Sequence, residues 1–75
     1  MHKMKYQLTQ PYTLNGGLYF NDGIQMQNVY ITFAPVGDSQ GCTKELSLPI
    51  VIDTDSIKQA IIIIETTIQT YLNSL

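Results

Sequence analysis

Apolar residues near the end of the chain repeat with the spacing of a helix. They are separated by 4, 3, 4, 3 and 4 positions, which is the heptad pattern of a helix that buries one face: Ile57, Ile61, Ile64, Ile68, Tyr71 and Leu75. We refer to these six residues as the seam. A second apolar strip, Ile62 and Ile63, lies beside the seam. The predicted helix therefore carries more apolar surface than one shallow contact covers.

The same segment also has the composition of a strand. Eight of the ten residues from 61 to 70 are β-branched, which favours an extended backbone. Read with a period of two, four apolar residues share one strand face: Ile62, Ile64, Ile68 and Leu72. The length of the segment, its unbroken heptad pattern and the capping residues Asp53-Thr54-Asp55-Ser56 before it favour a helix. We predict a helix over residues 54–75, with Asp55 as its N-cap.

The first half of the chain alternates between apolar and polar residues, as half-buried strands do. Lys3–Thr9 shows the alternation clearly, and Gln10-Pro11 interrupts it because proline has no N–H for a ladder. Two short apolar stretches follow, separated by the turn signal Asn15-Gly16-Gly17. Asn21-Asp22-Gly23 predicts a three-residue hairpin loop in which Gly23 is left-handed.

The longest predicted strand, Ile24–Ala34, changes phase along its length. Its first apolar residues lie at even positions and its later ones at odd positions: Ile24 and Met26, then Val29, Ile31 and Phe33. A slip of one residue turns every side chain to the other face, so one interpretation is a bulge near Gln27-Asn28. The alternative is a strand buried on both faces, which also accommodates Tyr30 and Thr32.

A regular alternation over Lys44–Ile52 predicts the last strand, and Pro49 within it indicates a sheet edge or a kink in the strand. The predicted fold class is α+β: an antiparallel sheet of three to four short strands, followed by one C-terminal helix packed on it. Residues 1–75 are expected to form a single domain, with the strands in residues 1–53 and the helix in residues 54–75.

Composition favours association with other proteins. A chain of 75 residues buries only about 60–65% of its unfolded surface, so small domains often need a disulfide, a metal or a partner subunit. Cys42 is the only cysteine and His2 the only histidine, which argues against an internal disulfide and a zinc site. Charged residues make up only 13% of the chain, and such a surface suits a subunit within an assembly.

A nucleic acid partner and a membrane-spanning segment are not expected. The net charge is −2, and the four lysines, with no arginine, form no cluster that would bind phosphates. The start of the chain lacks the apolar region of a signal peptide, and the run Ala60–Ile64 is too short to cross a bilayer. We expect a soluble protein made in the cytoplasm.

No residue pattern predicts a catalytic, cofactor-binding or metal site. Cys42 follows a glycine in a loop, but no plausible base lies near it in the sequence, and Asp53 and Asp55 are explained as helix-capping residues. The glycines of the first half match turns and not a phosphate-binding loop. An enzyme would therefore need a site built across subunits.

The sequence favours a non-enzymatic structural or assembly protein that associates with itself or with another protein subunit. Its low charge and Thr/Gln/Asn-rich surface fit a phage virion or tail component. The predicted interface consists of the helix residues Ile57, Ile61, Ile62, Ile63, Ile64, Ile68, Tyr71, Leu72 and Leu75. Tyr71 is included because tyrosine is enriched at interfaces. The alternative is a small regulatory binding module, similar to an antitoxin or an adaptor, that acts through a protein partner.

Overall fold

One long strand forms the centre of a five-stranded antiparallel sheet. The structure, a computed structural model, describes residues 4–37 and 42–75. Along these residues the elements are β1 Tyr6–Leu8, β2 Thr13–Leu14, β3 Tyr19–Asn21, β4 Ile24–Pro35, β5 Lys44–Val51 and α1 Ile57–Asn73. β5 pairs with one side of β4, and β1, β2 and β3 follow one another along its other side. The predicted α+β class is confirmed, with five strands instead of three to four.

β1, β2 and β3 together form one interrupted edge. Residues 9–12 lie opposite residues 31–32 of β4, and residues 15–18 lie opposite residues 27–28, so the edge gains two residues at each interruption. Pro11 lies in the first interruption and Gly16-Gly17 in the second. Each interruption adds two residues, which is an even number. The even-numbered side chains of β1, β2 and β3 therefore all lie on the side of the sheet that faces the helix.

β4 has no bulge near Gln27-Asn28, so that prediction is wrong. Its register with β5 runs without a break from Met26 opposite Val51 to Phe33 opposite Lys44. The change of phase instead marks a change in burial along the strand. Thr32 and Ala34 are buried on the face away from the helix, so the second half of β4 is buried on both faces, as the alternative interpretation requires.

The hairpin between β3 and β4 is tighter than predicted. Asn21 pairs directly with Ile24, which leaves a two-residue loop instead of a three-residue one. Asp22 and Gly23 have φ values of 57° and 78°. Two positive values in succession define a type I′ turn, whose twist matches that of the flanking strands. The left-handed conformation of Gly23 is confirmed.

The helix begins one residue later than its predicted cap implies. Ser56 is the N-cap, and its Oγ accepts a hydrogen bond from the backbone N–H of Gln59 at 3.3 Å. The Oγ1 of Thr54 accepts a hydrogen bond from the N–H of Ser56 at 3.1 Å, which fixes the chain just before the helix. The prediction of Asp55 as the cap is therefore wrong.

The helix packs on one face of the sheet, and the core lies between them. It consists of Val29, Ile31, Phe33, Ile50, Ile52, Ile64, Ile68 and Leu72. At the C-terminal end of the helix, the ring of Phe33 meets Tyr6 and Tyr71 edge to face, with centroids 6.1 and 5.9 Å away. Burial of the isoleucines against the sheet thus outweighs their preference for an extended backbone.

Candidate functional site

The nine predicted interface residues occupy three different environments. Ile64, Ile68 and Leu72 are buried in the chain's own core, and Ile63, Tyr71 and Leu75 pack partly buried against it. Ile57, Ile61 and Ile62 lie at the surface, with 79%, 42% and 54% of their area exposed. The second half of the seam therefore faces the chain's own sheet, and these three isoleucines remain accessible to a partner.

Ile57 and Ile61 are exposed because of their position along the helix axis. At about 100° per residue, Ile57 projects within about 20° of Ile64, and Ile61 within about 20° of Ile68. Both exposed residues therefore point in the same direction as the buried ones, but at this level β4 carries glutamines, and an open groove instead of a packed core lies beneath them. Ile62 differs, because it projects about 160° away from Ile64.

A groove with a volume of about 320 Å³ lies beneath the first two turns of the helix. We call it the overhang groove. Ile57, Ile61, Leu14 and Leu18 line it, together with Ala60, Ile64 and Ile52. Phe20 is exposed nearby, opposite Gln25 in the β3–β4 ladder. The groove therefore has mainly aliphatic walls.

Two glutamines of β4 lie in the overhang groove at positions that face the helix. The Gln27 Nε2 donates hydrogen bonds to the carbonyl oxygens of Gly16 at 2.8 Å and Asn28 at 3.0 Å. The Gln25 Nε2 donates to the carbonyl oxygens of Ile52 at 2.8 Å and Thr54 at 3.5 Å. Because each nitrogen meets carbonyl oxygens, which only accept, the orientation of both amides is determined.

The amide oxygens of Gln25 and Gln27 are acceptors without a donor among the described residues. Neither Oε1 atom receives a hydrogen bond within residues 4–37 and 42–75, and no buried side-chain nitrogen or oxygen in these ranges lacks a partner. Gln25 is half-buried and Gln27 is only 4% exposed. A molecule in the groove would meet hydrogen-bond acceptors there.

Acidic residues surround the end of the molecule that carries the groove. Asp55 lines the groove, Asp53 lies two residues before it, and Asp22 lies in the adjacent hairpin turn. Among residues 4–37 and 42–75, Lys58 on the first turn of the helix is the only lysine at this end. Lys5 and Lys44 lie at the opposite end of β4. The backbone N–H of Val36 donates to the carbonyl oxygen of Lys5, and Lys44 lies opposite Phe33 in the β4–β5 ladder. The two ends therefore differ in charge.

The face of the sheet away from the helix is polar and bonded across its strands. The hydroxyl of Tyr30 donates a hydrogen bond to Glu45, and this bond, with burial and the carboxylate charge, raises the pKa of Tyr30. Three further side-chain pairs cross this face: Tyr19 with Asn28, Thr9 with Thr32, and Asn15 with Ser47. Internal hydrogen bonds account for these polar groups, so this face is a weaker candidate for a site than the groove.

Neither edge of the sheet presents a continuous ladder to another strand. The N–H of Ile52 donates to Gln25, so the even-numbered N–H groups of β5 point towards β4 and the odd-numbered positions point outwards. Pro49 occupies an outward position and has no N–H. The opposite edge is interrupted at Pro11 and at Gly16-Gly17. Contacts through side chains are therefore favoured over strand addition.

The structure places the candidate residues for chemistry differently: Asp55 lines the overhang groove, and Cys42 does not. Cys42 is exposed just before β5, and His2 and the predicted loop residues 38–41 fall outside the described residues. No three His, Cys, Asp or Glu side chains within residues 4–37 and 42–75 come close enough to hold a metal ion. In the same part of the chain, no helix is long and apolar enough to cross a membrane.

The overhang groove is a feature that the sequence pattern did not reveal, since only folding brings Leu14, Leu18 and the two β4 glutamines to the same groove as the helix. The one available signal was the pair of glutamines at positions of β4 where apolar residues would continue the core. Comparison with known proteins adds no relative to this description: no family model, curated protein or solved structure matches the chain.

Proposed function

We propose that this chain is a non-enzymatic assembly protein that associates with itself by covering the overhang groove. The observation that carries the proposal is the exposure of Ile57 and Ile61, which point towards the sheet but lie over an open groove instead of a packed core. Leu14, Leu18 and Phe20 extend the same apolar area. Exposed apolar areas of this kind mark protein-binding sites in soluble proteins.

The size of the area is sufficient for a specific contact. A fully exposed large apolar residue presents roughly 150–200 Å², so the five residues together expose on the order of 500 Å². Covering such an area on both partners would bury about 1,000 Å², which is near the lower limit for a specific interface. The low charge of the chain supports the proposal, because it leaves little repulsion between copies.

Ile57→Asp and Ile62→Asp form a matched pair that tests this function. Both residues are exposed isoleucines of the same helix, but only Ile57 lines the groove. An aspartate at position 57 is favourable for the helix itself, because it lies in the first turn. Loss of association in this variant would therefore not come from unfolding, which circular dichroism would verify.

The measurement is light scattering coupled to size-exclusion chromatography, from low micromolar to near-millimolar concentration. We expect wild type and Ile62→Asp to exceed the monomer mass of 8.4 kDa and Ile57→Asp to remain at it. A wild-type chain that stays monomeric throughout would overturn self-association and favour the regulatory binding module, which would use the groove for a different protein. Equal behaviour of the two variants would overturn the role of the groove.

A place in a phage virion or tail is a narrower form of the same proposal. It is supported by the low charge and the Thr/Gln/Asn-rich composition. Mass spectrometry of purified particles from a source that encodes the chain would test it, and consistent absence of the chain from those particles would overturn it.

A further inference from the structure

We infer that the overhang groove receives the opposite end of a second copy, at the corner formed by Met4 and Lys5, so that copies associate head to tail. This inference rests on the proposed self-association and specifies which surface of the second copy enters the groove. It predicts an assembly in which each chain uses two different surfaces.

The chemistry of the groove selects an apolar group that carries hydrogen-bond donors. Its walls are mainly aliphatic, the two glutamine oxygens accept hydrogen bonds, and Asp55 adds a negative charge. The amide nitrogens of Gln25 and Gln27 are already engaged with backbone carbonyls. A lysine next to an exposed apolar side chain meets these requirements, because its ammonium group has three donors and its stem is aliphatic.

The chain offers this combination at the end far from the groove. Lys5 is exposed there, next to Met4, which is also exposed. Val36, whose N–H donates to the carbonyl oxygen of Lys5 at 2.8 Å, adds an exposed apolar side chain. Methionine suits an irregular groove, since its unbranched side chain adapts to the available space. Lys44 lies at the same end, so this end complements the acidic end electrostatically.

The two surfaces are too far apart to meet within one chain. β4 connects them, and its twelve residues span about 40 Å at roughly 3.3 Å per residue, which agrees with the 40 Å long axis of the molecule. Each head-to-tail contact leaves one groove and one Met4–Lys5 corner unused at the ends of the pair. Further copies therefore add until the assembly closes into a ring or continues as a filament.

A symmetric pairing of two grooves is less favourable. It would place Asp53 and Asp55 of both copies near one another and would bring four glutamine oxygens together with no donor between them. Like charges and unpaired polar groups at an interface oppose binding. Binding of the opposite end of the molecule avoids both problems, because its lysines carry positive charge and hydrogen-bond donors.

A mixing experiment with two blocked variants tests the inference. Ile57→Asp/Ile61→Asp blocks the groove and leaves the corner intact, and Met4→Asp/Lys5→Glu blocks the corner and leaves the groove intact. The substituted residues of both variants are exposed, and circular dichroism would verify folding. We expect each variant alone to be a monomer of 8.4 kDa and an equal mixture to form a heterodimer of about 17 kDa (2 × 8.4 kDa). Native mass spectrometry with one variant isotope-labelled identifies the heterodimer.

The outcomes distinguish a failure of the head-to-tail arrangement from a failure of the proposed self-association. If wild type is a monomer at all concentrations, both fail. If wild type associates but Met4→Asp/Lys5→Glu associates equally well, or if the mixture contains no heterodimer, only the head-to-tail arrangement fails. A heterodimer that dissociates as salt rises from low to molar concentration would support the electrostatic part of the contact.

Discussion

The Nε2 atom of Gln27 lies 2.8 Å from the carbonyl oxygen of Gly16, so a buried side chain of the central strand holds the turn between β2 and β3. That turn leads into Leu18, which forms part of the wall of the overhang groove. The stability of the fold and the shape of the groove are therefore linked through one amide.

Replacing Gln27 with methionine should destabilise the chain and loosen the groove. The substitution leaves the Gly16 carbonyl oxygen without its donor, which costs about 1–3 kcal/mol. Urea denaturation would measure the loss, and hydrogen exchange should become faster for the amides of residues 15–18. Gln69→Met is the control, because Gln69 is exposed on the helix and its side-chain amide donates to Asn73, which is also exposed. Equal effects of the two substitutions would contradict the structural role of Gln27.

Two isoleucines separated by one residue should differ in their contribution to stability. Ile64 is 6% exposed and packs in the core, so Ile64→Ala should lower the free energy of unfolding by about 2–5 kcal/mol. Ile62 faces away from the sheet, so Ile62→Ala should change the free energy of unfolding by less than about 0.5 kcal/mol. Chemical denaturation at one fixed protein concentration compares them, since association would otherwise contribute. Similar values for both variants would show that the buried face of the helix is wrongly assigned.

Gly23 and Gly17 are a matched pair of turn glycines: both have room for a larger side chain, but they differ in backbone conformation. A Cβ atom at either position meets nothing within 4 Å, but Gly23 has a φ of +78°. Gly23→Ala should therefore cost about 1–2 kcal/mol through backbone strain. Gly17→Ala should stabilise the chain by about 0.4–1 kcal/mol, because alanine restricts the unfolded chain. Thermal unfolding of both variants tests this, and a stabilising effect of Gly23→Ala would exclude the type I′ turn.

Tyr30 should titrate at a higher pH than an ordinary tyrosine. Its hydrogen bond to Glu45 favours the neutral phenol and raises its pKa above the usual value of 10.0. The interaction therefore stabilises the fold below pH 10 and is lost as the pH rises through the raised pKa of the folded state. Absorbance at alkaline pH should show a late transition that disappears in Tyr30→Phe and shifts to lower pH in Glu45→Gln. An unchanged titration curve in Glu45→Gln would contradict the bond.

Local rules predicted much of the fold because they depend on neighbours in the chain. Proline within Lys44–Ile52 indicated an edge strand or a kink, and among the described strands β5 pairs with β4 alone. The errors arose where a partner strand decides the geometry. A bulge at Gln27-Asn28 was one of two interpretations that β4 alone allowed, yet the extra residues lie in the opposing edge, at Pro11 and at Gly16-Gly17.

By itself, the sequence determined the helix and the direction of its apolar seam, because both follow from the spacing of the isoleucines and the capping residues before them. Tertiary structure alone decided which part of the seam is covered. Val29, Ile31 and Phe33 meet the second half of the helix, whereas Gln25 and Gln27 lie where the sheet would cover its first two turns. Their amides bond to the backbone instead of packing against the helix, and this leaves Ile57 and Ile61 exposed.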